Sequence, residues 1–109
     1  MLEEIIKSLE KAVVSDIRVY DMKSKTPFYD YTIICSVNTA RQGAAAVDYI
    51  RDDAEKLGLW VRGYNSSPDS GWFLVDLNNI IVHIFVNEER QRFNLDGLYY
   101  NLAKEELED

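Results

Sequence analysis

The chain has 109 residues, 47% of them hydrophobic, and carries 19 acids against 12 bases for a formal net charge of −7. That is one domain's worth of sequence, able to bury about two-thirds of its unfolded surface without staples. No run approaches the roughly 18 uninterrupted apolar residues of a membrane span, and the acid excess argues against a broad contact with nucleic-acid phosphates while suiting a basic protein partner.

Leu2, Ile5, Ile6, Leu9, Ala12 and Val13 recur at helical spacing, with Glu3, Glu4, Lys7, Glu10 and Lys11 between them. This predicts a first amphipathic helix rather than a secretory signal, and the early glutamates suit its N-terminal dipole. Asp16 to Asp21 alternates as a short strand, and Lys23 to Pro27 is a polar loop. Tyr29 to Val37 is a second strand, with Tyr31, Ile33, Cys35 and Val37 on one side and Thr32, Ile34 and Ser36 on the other. Cys35 is the single cysteine, so no internal disulfide forms. A buried packing role and a reducing cytosol are expected.

Thr39 with Gln42 three residues on fits a capping box for a helix spanning 39–57, and Gly58 follows as its stop. Val47, Ile50, Ala54 and Leu57 make its buried stripe, and the small run Gly43-Ala44-Ala45-Ala46 leaves room for another backbone. Leu59 to Tyr64 is a third strand, and Asn65 to Gly71 a turn-rich loop. After a hairpin come the polar residues Asn87 to Asn94, then a last helix capped by Asn94 with Leu95, Leu98, Tyr99 and Leu102 as its stripe. An acidic tail expected to fray ends the chain. The order α-β-β-α-β-β-β-α predicts a single α/β domain of mixed α+β character, a mixed five-stranded sheet with helices packed on it.

The hairpin, Gly71 to Val86, organises the rest. Asn78-Asn79 suits a two-residue primed turn, and with Leu77 and Ile80 flanking it every side chain is assigned to a face. Phe73, Val75, Leu77, Ile80, Val82, Ile84 and Val86 share one wholly apolar face. The other pairs Trp72 with Phe85, Leu74 with His83, and Asp76 with Ile81, far too apolar for a plain solvent face. Either helices cover both sides and Asp76 and His83 are hydrogen-bonded inside, or the second face is partly open and serves as a docking patch.

Chemistry is sparse. One cysteine and one histidine cannot build a zinc site, no Gly-x-Ser-x-Gly elbow occurs, and the five glycines are scattered. Asp52 and Asp53 are adjacent on a helix and diverge by about 100°, while Asp16 and Asp21 fall on opposite faces of a strand. Asp76 and His83 are diagonal neighbours on the hairpin, expected to serve structure or binding rather than catalysis. No cofactor is called for.

Taken together, Asp16-Ile-Arg-Val-Tyr-Asp21, Asp30-Tyr31-Thr-Ile-Ile34, Ala40-Arg41-Gln42, Trp72-Phe-Leu-Val-Asp76, Val82-His83-Ile-Phe85, Arg90, Phe93-Asn-Leu95 and Leu98-Tyr99 resemble the ribosomal silencing factor family, also called Iojap-related proteins. The likeness runs from about Leu2 to Leu102. It implies a fold like that of nucleotidyltransferases without their catalytic motif: Asn38-Thr39 stands where Gly-Ser would, and no Asp-x-Asp follows. It also implies a cytoplasmic, non-enzymatic protein that binds the large ribosomal subunit through ribosomal protein fourteen of that subunit. Bound there, it blocks joining of the small subunit and represses translation under nutrient limitation. Where the family usually has an acid before the glycine matching Gly63, this chain has Arg62, and other aromatics replace the usual Tyr and Trp at Phe93 and Tyr99.

Carried over by that resemblance, Trp72, Leu74 and Phe85 are expected as apolar anchors. Asp76, Asp30, Glu88 and Glu89 are expected to meet basic groups, and His83 and Arg90 to orient the contact edge. Two competing expectations stand beside it: a nucleotidyltransferase-like enzyme or nucleotide binder, and a homodimer using the same apolar face.

Overall fold

The computed structural model describes the backbone of residues 1–108 and the side chains of residues 1–102; the acidic tail expected to fray lies outside the described side chains. Helix α1 (Leu2–Lys11) precedes strands β1 (Ser15–Asp21) and β2 (Tyr31–Val37), then helix α2 (Ala40–Lys56). Strands β3 (Gly63–Asn65), β4 (Trp72–Asp76) and β5 (Ile80–Val86) follow, and helices α3 (Asn87–Phe93) and α4 (Leu95–Glu108) close the order. The sheet runs β1-β2-β5-β4-β3. Only β2 and β5 pair in parallel, so the sheet is mixed, as alternation and helix placement predict.

The hairpin takes the register that its pattern dictates: Trp72 faces Phe85, Leu74 faces His83 and Asp76 faces Ile81. Only Asn78 of the turn pair adopts positive φ, at 72°, so the turn is not the doubly left-handed form. The apolar face meets α1 and α2, where Ile5, Leu9, Val47 and Ile50 close the core over Ile33, Phe73, Val82 and Ile84. Asp53 fastens the two helices, accepting from Ser8 Oγ at 2.5 Å and pairing with Lys11 Nζ at 2.8 Å.

Helix α2 is capped at both ends by its own sequence. Thr39 Oγ1 accepts from the Gln42 backbone N–H at 3.2 Å. The Gln42 side chain reaches back one residue past the cap, to the Asn38 N–H at 2.8 Å. Gly58, at φ 72°, closes a Schellman motif in which its N–H bonds to Glu55 O and that of Leu59 to Ala54 O. The small run serves a side chain, not a backbone: a Cβ on Gly43 would collide with the Phe73 ring.

Other expectations also need correction. Leu57 and Val13 lie off their helices' buried stripes, 47% and 75% exposed, because each stands at a helix end past the last covered turn. The third strand is three residues long: Leu59 and Val61 pack on the core while Trp60 points out, giving alternation without a ladder. Asn87–Phe93, read from sequence only as a polar stretch, is a helix with Asn94 at φ 50° as its left-handed C-cap. Leu98 is 53% exposed and lies off the packed side of α4.

Candidate docking face

The second face of the sheet is divided. Helices α3 and α4 pack mainly over its β1–β2–β5 side. Phe93 makes the seam, its ring centred 5.8 Å from Phe85 and 5.0 Å from Trp72. Phe85 is therefore fully buried and His83 is 6% exposed. Trp72, Leu74, Asp76 and Ile81 are half-buried and remain within reach of solvent.

Arg90 explains why the cover holds. Its guanidinium donates to both Asp96 oxygens, to the Asp16 carbonyl and to Ser36 Oγ, and its side chain is almost wholly enclosed. Tyr20 Oη adds a 2.7 Å bond to Asp96. Burial alone would raise the Asp96 carboxyl, but the bonds from Arg90 and Tyr20 outweigh it and hold that group below the usual carboxylate range. On the same side Tyr99 stacks on Tyr20, centroids 6.0 Å apart, and shares a 3.2 Å hydrogen bond with Tyr29.

His83 accepts through Nδ1 from Trp72 Nε1 at 3.0 Å. Burial pushes its pKa down to about 4, so the imidazole is neutral around pH 7. Asp76 turns away from it: one oxygen accepts from the Asn78 N–H at 2.8 Å and the other lies 3.2 Å from Arg62 Nε. Cys35 is fully buried with its thiol pushed up to about 12, which removes it as a nucleophile. Among the described residues no three His, Cys, Asp or Glu side chains converge as metal ligands.

Several expected site residues are thus redistributed. Phe85 cannot serve as an exposed anchor, because α3 seals it. Arg90 is a buried tie between elements instead of a group on the contact edge, and His83 touches Trp72 rather than solvent. The Asp76–His83 pair does not form, since the turn and Arg62 occupy the carboxylate. Asp30 is exposed beside the hairpin turn, where its N–H donates to Asn79 O at 2.7 Å. Glu88 is exposed and Glu89 pairs with Arg92 at 3.1 Å, both beyond the far end of β5. At about 3.3 Å per residue, strand β5 separates those two acidic groups by roughly 20 Å, so they are not one patch. Ile81, Arg62 and Phe93 join the face although none of them was among the expected contact residues. For Ile81 the signal was present: an aliphatic residue opposite an acid on a supposedly polar face.

The profile described as "RsfS: Ribosomal silencing factor during starvation" matches residues 1–109. The chain belongs to the ribosomal silencing factor family. Among silencing factors it is 34% identical over 84 residues to "Ribosomal silencing factor RsfS" of Bacillus subtilis (strain 168), covering 77% of this chain and 71% of that one. The silencing factor of Haemophilus influenzae is 28% identical over 99 residues, 91% of this chain and 97% of that one. A crystal structure of a Chromobacterium violaceum protein superposes with a TM-score of 0.84 at 21% identity, covering 90% of this chain and 82% of that one, which shows the shared fold. Silencing factors are named for translational regulation, and the family's name places this chain in that class.

Proposed function

We propose that this protein represses translation by docking on the large ribosomal subunit, through ribosomal protein fourteen of that subunit, and standing where the small subunit would join. One observation carries the surface assignment. On the second face of the sheet, Trp72, Leu74 and Ile81 stay half-open beside Asp76, next to the part that α3 and α4 cover. An apolar patch edged by an acid, on a chain of net charge −7, fits a partner that is apolar at the contact and basic around it. Docking of this kind needs no turnover chemistry. Repression follows from occupancy alone.

The test mixes purified protein with separated ribosomal subunits. The protein is expected to pellet with large subunits and not with small ones, and large subunits carrying it are expected to fail to reassociate. Pelleting with neither subunit, or normal reassociation with the protein bound, overturns the proposal.

A further inference from the structure

Three rings hold Trp72: Phe85 at 5.3 Å, Phe93 at 5.0 Å and His83 at 5.7 Å between centroids. Two of those contacts are indifferent to where the indole N–H points. The third is not. An indole N–H only donates, so the 3.0 Å bond from Trp72 Nε1 makes His83 Nδ1 an acceptor and leaves the imidazole proton on Nε2. That Nε2 is buried and meets no hydrogen-bond partner among the described residues. A buried donor without a partner costs stability. For filling space alone, histidine is therefore a poorer choice here than leucine. What the imidazole supplies that leucine does not is a lone pair at the one place the indole N–H can reach.

We propose that His83 is a positioning residue for docking: its Nδ1 turns the polar edge of Trp72 inward, so that the indole shows its carbon edge beside Leu74. The inference rests on the half-open face being the docking surface. Without the acceptor the indole N–H has to seek water, which brings a polar edge into the patch and leaves the ring free to turn.

Three variants test this, with affinity for large subunits measured by cosedimentation. The indole N–H resonance of Trp72 is followed in a Trp60→Phe background, Trp60 being 65% exposed. His83→Leu is expected to fold, to shift the indole signal and speed its exchange with water, and to lose about tenfold in affinity. His83→Gln, whose side-chain oxygen can accept, is expected to keep the indole signal protected and to recover most of the binding. Leu74→Ala probes the face independently. If Leu74→Ala weakens binding and His83→Leu binds as the parent does, the positioning role is overturned. If neither weakens it, the docking face itself is wrong. An indole N–H that already exchanges rapidly in the parent protein also overturns the proposal. Should His83→Leu fail to fold, His83→Gln decides: loss of the indole protection with parental binding contradicts the role, and retention of both supports it.

Discussion

Arg90 donates to both carboxylate oxygens of Asp96, from Nε at 2.8 Å and from Nη2 at 3.1 Å, across the joint between α3 and α4. Through Nη1 the same guanidinium reaches the Asp16 carbonyl at 2.7 Å and Ser36 Oγ at 2.9 Å. One side chain thus ties two helices to the β1–β2 edge and decides which half of the second face is covered. Arg90→Ala strands a half-buried carboxylate and is expected to cost about 2–4 kcal/mol, somewhat under the figure for a fully enclosed pair. Urea denaturation measures it. Arg90→Lys is expected to recover only part, because an ammonium cannot reproduce the two-pronged contact.

Acid should destabilise the protein before its carboxylates titrate. Burial holds the His83 imidazole at about 4 instead of 6.5, with Asp96 only partly opposing the shift. The unfolded chain takes up that proton near pH 6.5 and the folded one only near 4. The contribution is thus complete above 6.5 and lost as pH falls toward 4, by roughly 3 kcal/mol. Melting temperature against pH is expected to fall across this window in the parent and to flatten there in His83→Leu.

Val13 offers the opposite case. It ends α1 at φ 60°, a left-handed position where a β-branched residue is strained, and it is 75% exposed, so it gives up little packing. Its N–H bonds to Glu10 O and that of Val14 to Leu9 O, the same Schellman arrangement that Gly58 closes for α2. Val13→Gly is expected to stabilise by about 1 kcal/mol, read as a raised denaturation midpoint with an unchanged slope.

What the sequence made legible, and what it did not, follows from the same physics. The β4–β5 register came through intact because alternation fixes it: a one-residue slip would turn Phe73, Val75 and Ile84 to the wrong face. Helix α3 did not, because its seven residues bury one arginine and half a phenylalanine, too little for an apolar stripe to show. Leu59 to Arg62 alternates like a strand although it has almost no ladder, since alternation reports burial and not pairing. For the site, the excess apolarity of Trp72, Leu74 and Phe85 was readable. How α3 and α4 divide them depends on Arg90 meeting Asp96, Asp16 and Ser36, partners up to 74 positions away that no local pattern announces.

Arg62 sets the strength of the acidic corner. It lies 3.2 Å from Asp76, with side-chain exposures of 56% and 19%. In the proposed docking, the chain's own arginine would compete with basic groups on the partner. Arg62→Ala is expected to tighten large-subunit binding by about two- to fivefold and to steepen its salt dependence, in keeping with the modest worth of an exposed pair. Affinity titrations at low and high salt check both.

Leu74→Arg places a cation on the half-open patch, across from His83 and away from the Arg90 tie. Cosedimentation of this variant with purified large subunits is the direct measurement, alongside its denaturation midpoint. It is expected to stay folded and to lose at least thirtyfold in affinity, about 2 kcal/mol. A folded Leu74→Arg protein that pellets with large subunits as well as the parent does would show that docking happens elsewhere on the molecule.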